Sequence, residues 1–182
     1  MTDLTAWIDN VFVLTVKVPN ITTIMKEANP PVIYWAAMNQ YFPVKLGHSI
    51  DSTTVRMTFV DELPIGEDLI LNWGKLRIPV YPRRIVRTDW FELRYSCLDT
   101  ELGAIFEETA TTFSVWAPTA KCVKLCLDQQ IYVLERGKNG IWTSKISGNR
   151  HVSSHPYEVS VNVQPTCAND HYCNAMLAKI EK

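Results

Sequence analysis

Three pairs of adjacent carboxylates, Asp61-Glu62, Glu67-Asp68 and Glu107-Glu108, are the residues best suited to acid–base chemistry. Hydrolysis by paired carboxyls needs one as acid and a second as nucleophile or base, held on either side of the bond to be broken. Each of these pairs falls beside a turn signal, where carboxylates are solvated, so no catalytic residue is expected. Metal chemistry has little support: five cysteines occur without a CxxC pair, and four histidines are scattered. Cys122 and Cys126 share one face of an expected strand but lie too far apart along it for a bridge. His48 and His151 sit in turn-rich stretches and read as solvated. Arg83, Arg84 and Arg87 read as the charged edge of a strand, which discourages edge pairing. Neither a metal nor a cofactor is implied.

Recognition of a flat ligand has better raw material. A ligand with an apolar face and a polar rim wants aromatic platforms beside amides. The stretch "PPVIYWAAMNQYFP" holds Tyr34, Trp35 and Tyr41 with Asn39, and "LNWGKLR" adds Asn72 and Trp73. "TDWFELR" adds Trp90. Two readings of these rings are open, exposed platforms or filling for a small core, because small domains need large side chains to bury enough surface.

The elements that must position these groups are mostly strands. "NVFVLTVKVP" places Phe12, Leu14, Val16 and Val18 on one face and stops at Pro19. "STTVRMTFVD", "RTDWFELRYSCLD", "AKCVKLCLD" and "YEVSVNV" read as further strands. "DLILNWGKLRIPVYP" reads as a strand broken near Gly74. "QQIYVLERGKNGIWTSKISG" reads as a hairpin, Ile131 to Glu135 against Ile141 to Ile146. "ITTIMKEANPP" has the spacing of one short helix, ended by Pro30 and Pro31. Asn174 to Lys182 has helical composition. The expected fold class is all-β, two consecutive small β-sandwich (immunoglobulin-like) modules, residues 1–98 and 99–182.

A length of 182 residues suits two small domains, and 47% hydrophobic with 20% charged residues is ordinary for a soluble globular chain. A net charge of -1 argues against nucleic acid and anionic membrane as partners. No run of 18 apolar residues suggests a membrane span. The acidic opening "MTDLTAWIDN" is unlike a signal peptide, so a cytoplasmic location is the expectation.

One segment carries a resemblance. Leu102-Gly103-Ala104, then Thr112-Phe113-Ser114-Val115-Trp116-Ala117-Pro118-Thr119-Ala120, then Val123 and Leu125, resemble the accessory module that precedes the catalytic barrel in type I pullulanases and related debranching enzymes. That module is carbohydrate-binding module family 48, found in proteins of glycoside hydrolase family 13. Gly140, Trp142, Ile146, Gly148 and Tyr157-Glu158-Val159 fit the same pattern, and Asn169 to Cys173 resembles its "DPYA" segment with His171 in place of proline. The first hundred residues look like the extra N-terminal module of bacterial type I pullulanases, chiefly through "AWIDNVFVLTVKVP".

The resemblance implies a non-catalytic N-terminal part of a debranching hydrolase for α-1,6-glucosidic bonds. Its partners would be α-glucan (starch, glycogen, pullulan) and the parent's catalytic barrel. A barrel needs about 250 residues of its own, and this sequence stops where the linker to it would begin, as a fragment or a truncated product. Glucan-binding members of the module family use tryptophans where this chain has Asp128-Gln129-Gln130 and Val163-Gln164-Pro165. The resemblance therefore moves the sugar-binding expectation to Tyr34, Trp35, Asn39, Tyr41, Asn72 and Trp73, and leaves Trp116 and Trp142 to core packing or module docking. A protein-docking or regulatory sandwich without sugar binding is the alternative. Exposure of Trp35, Tyr41 and Trp73 as one row would favour binding, and their burial would favour docking.

Overall fold

Alternation of apolar and polar residues builds the first unit, Met1–Leu93, of the computed structural model, which describes residues 4–24, 29–150, 156–161 and 176–178. Its strands are β1 (Thr5–Asn10), β2 (Val13–Lys17), β3 (Val32–Trp35), β4 (Gln40–Ser49), β5 (Thr54–Phe59), β6 (Leu69–Trp73) and β7 (Leu76–Pro82). They pair in the order β1-β2-β5-β4-β3-β6-β7, and the ladder closes into a barrel through a parallel pairing of β1 with β7. Register places buried residues opposite buried ones: Ile8 faces Leu14, Leu14 faces Met57, and Ile33 faces both Phe42 and Leu71. A slip of one residue would turn each of these rows to solvent.

The all-β expectation holds, but this unit closes into a barrel where a sandwich was expected, because β1 pairs with β7, and there are local corrections. Phe12 is 45% exposed and meets Phe59 edge-on, while Leu14, Val16 and Val18 are buried as the periodicity predicts. The segment β4 escapes a period reading because Pro43 and Gly47 interrupt it. Gly47 lies in a register shift between Leu46 and Ser49, where a Cβ would come within 2.4 Å of the Arg56 carbonyl oxygen. Gly74 does mark a break, the two-residue β6–β7 turn, with a φ of 58°.

The segment "RTDWFELRY" is not a strand. It forms a helix, α2 (Asp89–Tyr95); the other helix, α1, is the single turn Ile21–Ile24. Thr88 caps α2, its Oγ1 accepting from the Phe91 amide at 3.3 Å. Asp89 and Glu92 lie in the first turn and Arg94 in the last, matching the helix dipole. Cap and charge order outweigh the β-propensity of Trp90, Phe91 and Tyr95.

The arginines are not a strand edge either. Residues Arg84–Arg87 form a 3-10 turn, and Arg83 is the clasp of the barrel seam. Arg83 Nε and Nη2 donate to the two Asp9 carboxylate oxygens at 2.7 and 2.6 Å, and its guanidinium lies 4.6 Å from the centre of the Trp7 ring. Thr15 Oγ1 donates to the same carboxylate at 2.5 Å. Asp9 comes from β1 and Arg83 follows β7, so the pair spans the closure. Burial alone would raise the Asp9 pKa. Hydrogen bonds from Arg83 and Thr15, with the Arg83 charge, outweigh it and hold the carboxyl below its usual value. A depressed carboxylate stabilises the fold fully above its unfolded pKa of about 4 and loses that contribution as pH falls through the folded value. Acid titration of stability below about pH 4 is therefore expected to flatten in Asp9→Asn, which also costs about 1 kcal/mol at neutral pH by removing the counter-charge of the part-exposed Arg83. An Asp9→Asn protein with the wild-type acid limb and neutral-pH stability would discard the clasp.

The second unit, Arg94–Lys182, has two four-stranded sheets. Its strands are β8 (Gly103–Phe106), β9 (Ala110–Trp116), β10 (Cys122–Leu127), β11 (Gln130–Val133), β12 (Glu135–Arg136), β13 (Ile141–Ser147), β14 (Tyr157–Ser160) and β15 (Met176–Ala178). One sheet runs β12-β13-β9-β8 and the other β11-β10-β14-β15. Phe113, Val123, Leu125, Leu134, Trp142, Ile146 and Tyr157 share the core between them. Burial pushes the Tyr157 hydroxyl up to about 12.

The expected long hairpin splits. Leu134 is 2% exposed and carries the chain from one sheet to the other, so β11 pairs with β10 while β12 pairs with β13. Strand β15 replaces the helix expected near the end: Met176–Ala178 pairs with β14, which supplies backbone partners that a composition reading does not see. His151, the Val163-Gln164-Pro165 stretch, Cys167 and Asn169 to Cys173 lie outside the described residues.

Candidate functional site

Strand alternation decides which aromatic residues of the first unit reach solvent. Along β3, Ile33 points inward, so Tyr34 points out. Along β4, Phe42 points inward, so Tyr41 points out. Tyr34 and Tyr41 are direct cross-strand partners, their ring centres 4.8 Å apart and their planes tilted by 33°. The connection is a 3-10 turn, Ala36–Met38, closed by Asn39 at a φ of 50°. Tyr34 Oη donates to Asn39 Oδ1 at 3.4 Å, which ties the turn to the ring pair. In the next row, Val32 pairs with half-buried Asn72. Tyr34, Tyr41 and Asn72 therefore share the outward face, with Asn39 at its end.

The two tryptophans fall elsewhere. Trp73 is 1% exposed inside the barrel and offers no platform. It has the parity of Leu69 and Leu71 on β6, the inward set. Trp35 shares the parity of Ile33, sits half-buried at the strand end, and donates its indole N–H to Glu67 Oε2 at 3.4 Å. Trp90 donates to Glu62 Oε1 at 3.0 Å. Sequence reading passed over Met38, 64% exposed in the turn that joins the strands of the ring pair. Reading "YWAAMNQY" as a hairpin would have paired the two tyrosines from sequence.

One member of each acidic pair is engaged in structure. Glu62 and Glu67 accept from Trp90 and Trp35, and Glu107 forms an ion pair with Lys145 at 2.8 Å. Among the described residues no group of three His, Cys, Asp or Glu could hold a metal, and no helix is long and apolar enough to cross a membrane.

In the second unit, Trp116 and Trp142 bracket a tight corner. Trp142 is 6% exposed and donates to the Ala117 carbonyl at 3.0 Å. Arg136 donates to the Pro118 carbonyl at 2.8 Å, and the Ala117 amide donates to the Gly140 carbonyl at 2.9 Å. Trp116 is 41% exposed, and its indole N–H is shared between the carbonyls of Tyr95 at 2.8 Å and Asn139 at 3.1 Å. The Trp-Ala-Pro stretch and the Gly-x-Trp stretch thus interlock, and this is what their residue types are for. Trp142 is core; Trp116 holds loop backbone at the surface.

Residues 101–172 match the family model of carbohydrate-binding module 48 (isoamylase N-terminal domain). A pullulanase from Anoxybacillus sp. LM18-11, solved with maltotriose, superposes with a TM-score of 0.76 at 23% identity, over 88% of this chain and 24% of that one. Type I pullulanase from Bacillus subtilis str. 168, solved with maltose, gives 0.73 at 18% identity, over 87% of this chain and 23% of that one. Pullulanase from Bacillus acidopullulyticus gives 0.61 at 14% identity, over 99% and 37%. This chain spans about a quarter of the length of the Anoxybacillus and Bacillus subtilis enzymes. Residues 101–172 are therefore similar to carbohydrate-binding module 48, and the chain shares its fold with the N-terminal part of pullulanases.

Proposed function

We propose that this chain is the non-catalytic N-terminal part of a pullulanase-like α-glucan debranching hydrolase. In this reading it binds α-glucan on the outward face of its first unit and helps to position the parent's catalytic barrel, acting in the cytoplasm. The carrying observation is the cross-strand pair Tyr34–Tyr41, outward-facing, with Asn39 and Asn72 beside it. Two adjacent rings with amides at their border suit the flat face and rim hydroxyls of glucose units. The family 48 match and the maltooligosaccharides bound to related pullulanases support the ligand class. The engagement of Glu62, Glu67 and Glu107 with neighbouring side chains supports a non-catalytic role.

The test is a titration with maltoheptaose followed by tyrosine and amide NMR shifts. Saturable binding is expected, weakened about ten-fold by Tyr34→Ala or Tyr41→Ala, since an aromatic contact contributes about 0.5 to 1.5 kcal/mol. Absence of saturable shifts would reject the glucan platform. A docking role has one observation of its own: Ile131 and Val133 are 63% and 62% exposed on β11, an edge strand, and such residues suit a protein surface.

A further inference from the structure

The second unit has a charged cleft that the glucan reading does not use. It measures about 410 Å³, is open to solvent, and is lined by Arg94, Tyr95, Arg136 and the turn Gly137 to Gly140, with Lys138 at its rim. Three cations line it and no carboxylate does, in a chain whose net charge is -1. Glu135 lies in the adjoining groove, lined also by Thr143 and Lys145, and not in this one.

The cleft is also preorganised. Arg136 is held in place, donating to the Pro118 carbonyl at 2.8 Å with its guanidinium 5.8 Å from the Trp142 ring centre. The turn is locked, with Asn139 and Gly140 at φ of 55° and 74° and the Asn139 side-chain Nδ2 donating to the Ser96 carbonyl at 2.8 Å. A fixed guanidinium that lines the same cleft as a second arginine and a lysine suits a doubly charged phosphate group, since bonds from cations to phosphate are charge-assisted. The half-buried Tyr95 and the remaining volume leave room for a ring beyond the phosphate.

We propose that this cleft binds a phosphate monoester of sugar size, either a free hexose phosphate or a phosphorylated residue of a glucan chain. It is a second site, independent of Tyr34 and Tyr41. The Trp116 indole reports on it, being bonded to the carbonyls of Tyr95 and Asn139.

The experiment follows the Trp116 indole N–H resonance of the full chain during titration with inorganic phosphate, glucose 6-phosphate and a phosphorylated maltodextrin, with maltose as the uncharged control. Saturable shifts are expected with the three phosphate probes, and weaker binding at raised salt. Tighter binding of glucose 6-phosphate than of the dextrin would assign the free sugar, and the reverse order the glucan chain; either supports the site. Arg94→Gln and Lys138→Gln, both at exposed positions, are expected to weaken binding about five-fold each, the size of a solvent-facing charge contact. Tyr34→Ala should leave the binding of inorganic phosphate and glucose 6-phosphate at the Trp116 reporter unchanged, which keeps the two proposals separable. No saturable shift with any phosphate probe, an equal shift with maltose, or unchanged affinity in the Arg94→Gln/Lys138→Gln double variant would overturn the proposal.

Discussion

Gly140→Ala is expected to destabilise the second unit by roughly 3 kcal/mol or more. Two costs add. Gly140 has a φ of 74°, where a side chain is disfavoured by roughly 1 to 2 kcal/mol. A Cβ there would also fall 2.3 Å from Pro118 Cα and 2.4 Å from Pro118 Cβ. Neither atom belongs to a flexible side-chain end, so the Ala117-Pro118 corner or the turn itself must move. Movement would strain the Ala117-to-Gly140 amide bond and the Trp142 contact with Ala117. Gly103→Ala is the matched control. It has a φ of 96° but nothing within 4 Å of the added carbon, so only the conformational cost remains. Urea unfolding of both variants, followed by near-ultraviolet circular dichroism, separates the terms. Equal, mild losses in the two would mean that the corner has slack and that the close approach is not structural.

Trp73→Ala has the second large effect, about 3 to 5 kcal/mol in the first unit. Trp73 ends β6 opposite Leu76, and its ring is among the largest side chains fully enclosed in the structure. Truncation leaves a cavity that backbone-paired strands cannot close, so lost transfer energy and lost packing add. By contrast Tyr41→Ala removes a ring that is 57% exposed, and its stability cost should stay within about 1 kcal/mol. The contrast divides the six expected sugar residues by measurement. Trp73 should report on folding, and Tyr41 on sugar affinity. A Trp73→Ala protein of full stability that had lost maltoheptaose binding would reverse this assignment.

The strand alternations were legible because a half-buried strand writes its face into every second residue. Val123, Leu125 and Leu127 are read from "CVKLCL" and are buried as read. The corner motif was legible for a similar reason: proline, glycine and tryptophan each stand where only that backbone or that ring fits. The helix at Asp89–Tyr95 was not legible from propensity, since Trp, Phe and Tyr favour strands; a threonine cap at Thr88 decided it. The hairpin that splits at Leu134 looked continuous because both of its halves are extended, and only the second sheet draws them apart.

By itself the sequence determined the all-β class, the alternating core and the family resemblance of residues near the Trp-Ala-Pro corner. These are local: each depends on neighbours within a few positions. Only the tertiary structure decided which aromatics face solvent. Trp35, Trp73, Tyr34 and Tyr41 have similar chemistry, and their strands could have taken either register. The barrel closes through β1 and β7, pairs Tyr34 with Tyr41 on the outside, and seals Trp73 within. That choice is collective. A one-residue slip exchanges the two faces, and it is the summed burial of all seven strands that forbids the slip.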